Sequence, residues 1–215
     1  MTATNVVNLR KIERMAYLSL KNGLRLHADS ILLYNNKRYP TAYFLSILAL
    51  EEIGKFFLIE DFWWHSKVDG RMEAKWEHKF IELIYSHRPK QSVFASNLYG
   101  PLPKATFARQ LLSGSVEKAK QNSVYVGLPR FKRVISFKGK IINPIKIKRS
   151  KAKRQITSVN DKILEFILSV AKDVWMVETE LTRQMINVTL YNKIRKKWAP
   201  VSPKTSRRLI RLNKL

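Results

Sequence analysis

Residues 41–64 read TAYFLSILALEEIGKFFLIEDFWW, and this stretch decides the fold. It is apolar on nearly every side, which is the pattern of a helix buried in a protein core. Its apolar run is interrupted by Ser46 and ends in Glu51 and Glu52, too soon for a bilayer span. Pro40 stands just ahead of it, where proline suits a first helical turn. A central, fully surrounded helix requires other helices around it.

Those helices are legible on both sides. Leu9, Ile12, Met15, Ala16, Leu20, Leu24, Ile31 and Tyr34 recur at three- and four-residue spacing and predict a long amphipathic helix. Asn35, Asn36 and Pro40 mark the turn after it. A third helix is expected from about 71 to 87, with Trp76, Phe80, Leu83 and Ile84 on one face and Pro89 ending or kinking it. Residues 104–121 read as a fourth helix. From Ser123 the pattern changes. Val124–Val126 favour strand, and Gly127, Pro129, Gly139 and Pro144 punctuate a segment in which 134–137 and 141–147 suit a hairpin or an irregular loop. Helix resumes at Asn160 or Asp161 and runs to about Ile194. The expected architecture is all-α: an up-and-down helical bundle over residues 1–198, with a basic, partly extended insertion at 118–160 before the last long helix. A basic tail follows at 199–215, with Pro200 and Pro203 ending regular structure.

The chain of 215 residues carries 41 Lys and Arg against 16 Asp and Glu, a formal charge of +25. The excess is concentrated. Thirteen basic residues and no acidic ones occupy 118–160, and ten more, again without an acid, occupy 181–215. Cationic density of this kind draws polyanions and releases their counterions, so nucleic acid is the first partner to consider. A ribosomal surface, an acidic protein or an anionic membrane meets the same electrostatics. Absence of cysteine excludes disulfides, thiolate metal sites and a Cys nucleophile. The first fifteen residues lack the apolar core of a signal peptide, so a soluble, cytoplasmic protein without a membrane partner is expected.

Two clusters carry chemical potential. Glu51-Glu52-Ile53-Gly54-Lys55 places charges in the middle of an apolar helix. Glu51 and Lys55 stand one turn apart, Glu52 points about 100° away, and Gly54 lets another backbone approach. This is either an intrahelical ion pair at a tight crossing or a polar cluster inside the bundle. Ser86-His87-Arg88-Pro89-Lys90 is either a solvated helix end or a site in which His87 moves a proton and a cation holds phosphate.

The combination resembles the AbiV family of bacterial abortive-infection proteins. It comprises Leu26-His27-Ala28-Asp29-Ser30-Ile31-Leu32-Leu33, the Glu-Glu-Ile-Gly-Lys element, His-Arg-Pro-Lys about thirty residues on, Ser123–Val126 and Pro144. The likeness covers roughly 10–195, and Pro89 departs from it, which bears on the geometry of His87 and Lys90. The family is akin to the HEPN domains, many of them metal-independent ribonucleases that act as dimers. Their Arg-to-His signature is met by Arg71 and His78, although His87 falls where the family's own His belongs.

The resemblance implies a phage-defence effector that blocks translation by acting on RNA, with no cofactor and no metal. His87 would transfer the proton; Lys90, Lys55 or Arg88 would stabilise the phosphorane; Glu51 and Glu52 would orient and tune them. RNA or the ribosome would be gripped by Arg88, Arg130, Lys132, Arg133, Lys148, Arg149, Lys151, Lys153 and Arg154. The alternatives are a non-catalytic RNA- or ribosome-binding inhibitor, with Tyr125, Phe131, Phe137 and Trp198 either stacking on bases or packing internally, and a switch released by a phage-encoded protein. The HEPN likeness also implies a homodimer.

Overall fold

The computed structural model describes residues 8–68, 74–96, 105–128, 130–131 and 134–214. Ten α-helices in chain order build it: α1 Leu9–Asn35, α2 Tyr39–Val68, α3 Ala74–Tyr85, α4 His87–Ala95, α5 Ala105–Leu112, α6 Ser115–Asn122, α7 Arg149–Ala171, α8 Glu180–Met185, α9 Val188–Lys197 and α10 Pro203–Asn213. A short antiparallel pair, β1 Arg130–Phe131 with β2 Val134–Ile135, and a 3-10 turn at Pro144–Lys146 fill the connection between α6 and α7. The protein is all-α, as its sequence leads one to expect.

α2 is the axis. Ile47, Leu50, Ile53, Phe56, Phe57 and Ile59 are fully buried, and α1, α4, α6 and α7 pack around them. Burying one such side chain contributes about 1.5–3 kcal/mol. Phe56 and Phe57 meet Phe166 of α7 at ring separations of 5.7 and 5.2 Å. α1 begins at Asn8, whose side chain accepts the Lys11 N–H at 3.1 Å, and turns into α2 through Lys37 at φ 61°.

One local expectation, a break at Pro89, is met, and two give way. The third helix stops at Tyr85, and a new one, α4, starts at His87. Pro89 is the cause: its ring would clash with the Tyr85 carbonyl of a continuous helix, whereas in a first turn its missing N–H costs nothing. The helix expected at 104–121 is split at Gly114, whose φ of 73° is open to glycine at little strain. No regular strand forms at Val124–Val126; an isolated bridge joins Gly127 to Ile142.

The C-terminal half differs more. α7 starts at Arg149, eleven residues before the expected cap at Asn160. Ala152, Ile156, Val159 and Ile163 form its buried stripe, with Lys153 and Arg154 exposed between the first two. The basic insertion expected over 118–160 therefore contributes its ends to α6 and α7, leaving 123–148 as the irregular part. The expected single helix to Ile194 is broken after Ala171, where Asp173 takes φ 54°. Beyond Trp198 the basic segment forms α10. Ser202 caps it by accepting the Thr205 N–H at 3.3 Å, Pro203 opens it, and Leu209 is buried. α10 packs on α7, where Arg208 meets the buried Glu165 at 3.3 Å. Among the described residues, no helix is long and apolar enough to cross a membrane.

Candidate functional site

Three helices converge on one carboxylate. Glu51, on the core helix, is only 3% exposed. α4 brings His87 and Gln91, one turn apart, and α6 brings Glu117 and Lys120. His87 Nδ1 lies 2.9 Å from Glu51 Oε2. Gln91 Nε2 donates to Glu51 Oε1 at 2.8 Å and to Glu117 Oε2 at 3.2 Å. Lys120 Nζ donates to Glu51 Oε1 at 2.9 Å and pairs with Glu117 Oε2 at 2.7 Å. A buried carboxylate needs compensating donors, and here a histidine, an amide and an ammonium surround it.

The approach of α4 to α2 depends on Gly54. A methyl group there would sit 2.0 Å from the Lys90 carbonyl oxygen, a backbone atom that cannot turn aside. The glycine that sequence reading associates with close approach therefore sets the His87–Glu51 distance.

The imidazole is oriented by its surroundings. Lys120 also lies 3.3 Å from His87 Nδ1, but this is its longest contact, since its shorter ones go to the two carboxylates. Glu51 at 2.9 Å favours a proton on Nδ1. Nε2 then carries the lone pair, on a side chain that is 52% exposed. A half-exposed imidazole held by a buried carboxylate is an arrangement that could serve a general base.

Glu51, His87 and Glu117 offer ligand atoms within 4.8 Å of one another, the composition of a metal site. The Lys120 ammonium bonds to both carboxylates and approaches the imidazole, so it supplies the positive charge that a metal would bring. Burial alone would raise the Glu117 carboxyl; its hydrogen bond and charge contact with Lys120 bring it below the ordinary value.

Lys90 stands apart from this network. Its residue is buried, and no hydrogen bond or ion pair to its ammonium occurs among the described residues. Burial lowers its pKa, against the opposing pull of Glu51 and Glu52. Lys90 is therefore a cation held near the cluster and available to an anion.

Of the residues singled out in sequence, Glu51 and His87 meet directly, and Lys90 feels the charge of Glu51, Glu52 and Lys55 without bonding to them. Glu52 and Lys55 do not touch the His87–Glu51 pair. Glu52 accepts from Asn22 of α1 at 3.1 Å, and both line a neighbouring α1–α2 groove with Lys11 and Arg14. The Glu51–Lys55 pair is absent among the described residues, because Glu51 is turned toward α4 and α6. Arg88 lies over Gly114, with its guanidinium within 3.6–3.8 Å of where a methyl would stand. Lys148, Arg149, Lys153 and Arg154 are exposed at the start of α7. There Arg149 donates to the Tyr34 hydroxyl at 3.1 Å, and Lys151 sits 5.1 Å over the Tyr43 ring. Tyr43 precedes Glu51 by eight residues, about 12 Å along α2. Lys132, Arg133 and the Arg130 side chain lie outside the described residues, as do Arg71 and the Phe131 side chain. His78 is exposed on α3. Tyr125 and Phe137 are exposed, whereas Trp198 is buried edge-on to Tyr34 at 5.1 Å.

Sequence reading missed Gln91, Glu117 and Lys120. Gln91 is one turn beyond His87, and Glu117 and Lys120 are an i,i+3 pair. Those spacings are common on solvated helices, and nothing in them announces a third wall to the site.

An all-α bundle with a His–carboxylate pair between helices is the class of protein these features define. A family model described as AbiV, of the HEPN class, matches residues 11–165. The chain belongs to the AbiV family, which points to abortive-infection phage defence. No curated protein and no solved structure matches it.

Proposed function

We propose that this chain is an abortive-infection effector that binds RNA and cleaves it without a metal, thereby blocking translation. The observation that carries this reading is the half-exposed His87 imidazole, oriented by buried Glu51 at 2.9 Å. Nε2 takes the proton from a ribose 2′-hydroxyl. The 2′-oxygen forms a bond to the adjacent phosphorus, and the bond from phosphorus to the 5′-oxygen breaks. Lys90 stabilises the phosphorane charge and gives the departing 5′-oxygen its proton, a role that its lowered pKa suits. Arg88 steadies a neighbouring phosphate. Glu52 and Lys55 do not touch the reacting atoms in this scheme; Lys55, with Lys11 and Arg14, guides the strand along the α1–α2 groove.

The cationic start of α7 supports binding. Lys148, Arg149, Lys151, Lys153 and Arg154 form an acid-free approach to the bundle, and affinity should fall steeply with salt. A second reading keeps this grip without chemistry, with occlusion of RNA or the ribosome as the toxic act.

The test incubates purified protein with ribosomal RNA in EDTA. Cleavage to 2′,3′-cyclic phosphate ends, abolished in His87→Ala while RNA affinity stays unchanged, supports the enzyme. Intact RNA with folded, RNA-bound protein supports the grip. If a phage-encoded protein releases the activity, infected-cell lysate is the condition under which cleavage appears. Homodimerisation is read by light scattering; a monomer that cleaves would remove the dimer from the scheme.

A further inference from the structure

The far end of α2 carries a second polar feature that RNA chemistry does not use. Glu60 is buried, and its carboxylate accepts the backbone N–H groups of Glu178 at 2.8 Å and Thr179 at 3.2 Å, together with the Thr179 hydroxyl. Arg183 Nη2 donates to the Val177 carbonyl at 2.8 Å. These bonds hold the loop 172–179 against α2, with a cleft of about 210 Å³ between them.

Buried Phe56 and Phe166 line the cleft together with Trp64 and Trp175. Asp61 and Glu178 stand at its sides, above buried Glu60. The sign of charge is the informative part. The chain has 41 basic residues and 16 acidic ones, yet among the described residues three carboxylates and no Lys or Arg line this cleft. Trp64 is 45% exposed and Met176 73%, so apolar surface at the mouth is uncovered. Among the described residues Asp61 has only a long contact, 3.8 Å to His65, with both side chains more than half exposed. Aromatic faces attract cations through their quadrupole, and carboxylates add directional charge. An anion would be repelled here, a neutral apolar solute would strand the carboxylates, and a bare metal ion would gain nothing from indole walls.

We propose that this cleft binds an organic cation, an alkylammonium or guanidinium group. It is presented by a free polyamine or by a basic side chain of a polypeptide. The site is independent of the RNA-directed reading.

Calorimetry and Trp fluorescence on the full-length chain test it, with spermidine and an arginine-rich peptide as probes. A protein of charge +25 repels cations overall, so saturable binding requires a local site. One saturable site is expected, with affinity weakened roughly tenfold in Asp61→Asn/Glu178→Gln and in Trp64→Leu. The probe that binds tighter identifies the source. Failure of both probes to saturate at millimolar concentration overturns the proposal. So does binding that is unchanged in both variants when each retains the parent melting temperature.

Discussion

Glu51 and Glu60 are both 3% exposed, nine residues apart on one helix, and they are opposite kinds of buried carboxylate. Glu60 is satisfied by neutral donors from one short loop: two backbone N–H groups and a threonine hydroxyl. Glu51 is satisfied by a histidine, an amide and an ammonium from two separate helices. The first arrangement ties down a loop. The second gathers groups that can move a proton and balance phosphate charge. Burial alone does not distinguish a structural acid from a functional one; the chemistry of its donors does.

The largest expected effect sets the two apart. Glu51→Gln keeps size but removes the charge that orients His87, and RNA cleavage should drop about 10²–10⁴-fold. Glu60→Gln should leave the cleavage rate per folded molecule within about twofold of the parent. Equal losses in single-turnover assays would erase the contrast.

Next comes stability. Glu60→Ala strands two amides and a hydroxyl and should cost about 3 kcal/mol in urea unfolding. A loss below about 1 kcal/mol would mean that the loop finds other partners. Gly54→Ala tests the other end of the helix. Its methyl must push α4 away from Glu51, which should cost about 1–3 kcal/mol. Activity should fall with it, and His87 should lose its carboxylate-bound NMR signature. Retained activity would free the His87–Glu51 distance from the helix crossing.

The smallest effect is in pH. Burial raises the Glu60 carboxyl above its ordinary value, against the hydrogen bonds from Thr179 and Glu178 that lower it. The folded protein therefore keeps this proton at a pH where the unfolded chain has released it. Stability should fall as pH rises through the range just above the usual glutamate value. Urea unfolding of Glu60→Gln should show a flatter slope over that range, and an unchanged slope would assign it to other groups.

Much of the fold was legible because hydrophobic period survives in the sequence. α1 and α2, their turn and Pro40 fall where spacing and proline chemistry put them. The α7 stripe Ala152–Ile156–Val159–Ile163 was equally periodic, but interleaved lysines made it look like an extended insertion. In sequence Pro203 reads as a stop, yet it serves as a first-turn residue, since proline suits either place and only the Ser202 cap decides. In the site, Glu51, His87 and Lys90 stood out as charges beside apolar helix. Lys120 did not, because one lysine among thirteen basic residues in an acid-free stretch carries no mark.

Sequence alone determined that α2 must be surrounded and that positive charge is concentrated in segments outside it, and it marked His87 and the helical carboxylates Glu51 and Glu52 as candidates for a site. Periodicity, composition and local spacing report which face of each element avoids water. Tertiary structure decided which cation meets which acid: it sent Glu52 and Lys55 to another groove and brought Lys120, 69 residues from Glu51 in sequence, into contact with it. Such pairings depend on how helices cross, and a crossing is set by backbone approach at residues such as Gly54, where distance in space bears no relation to distance along the chain.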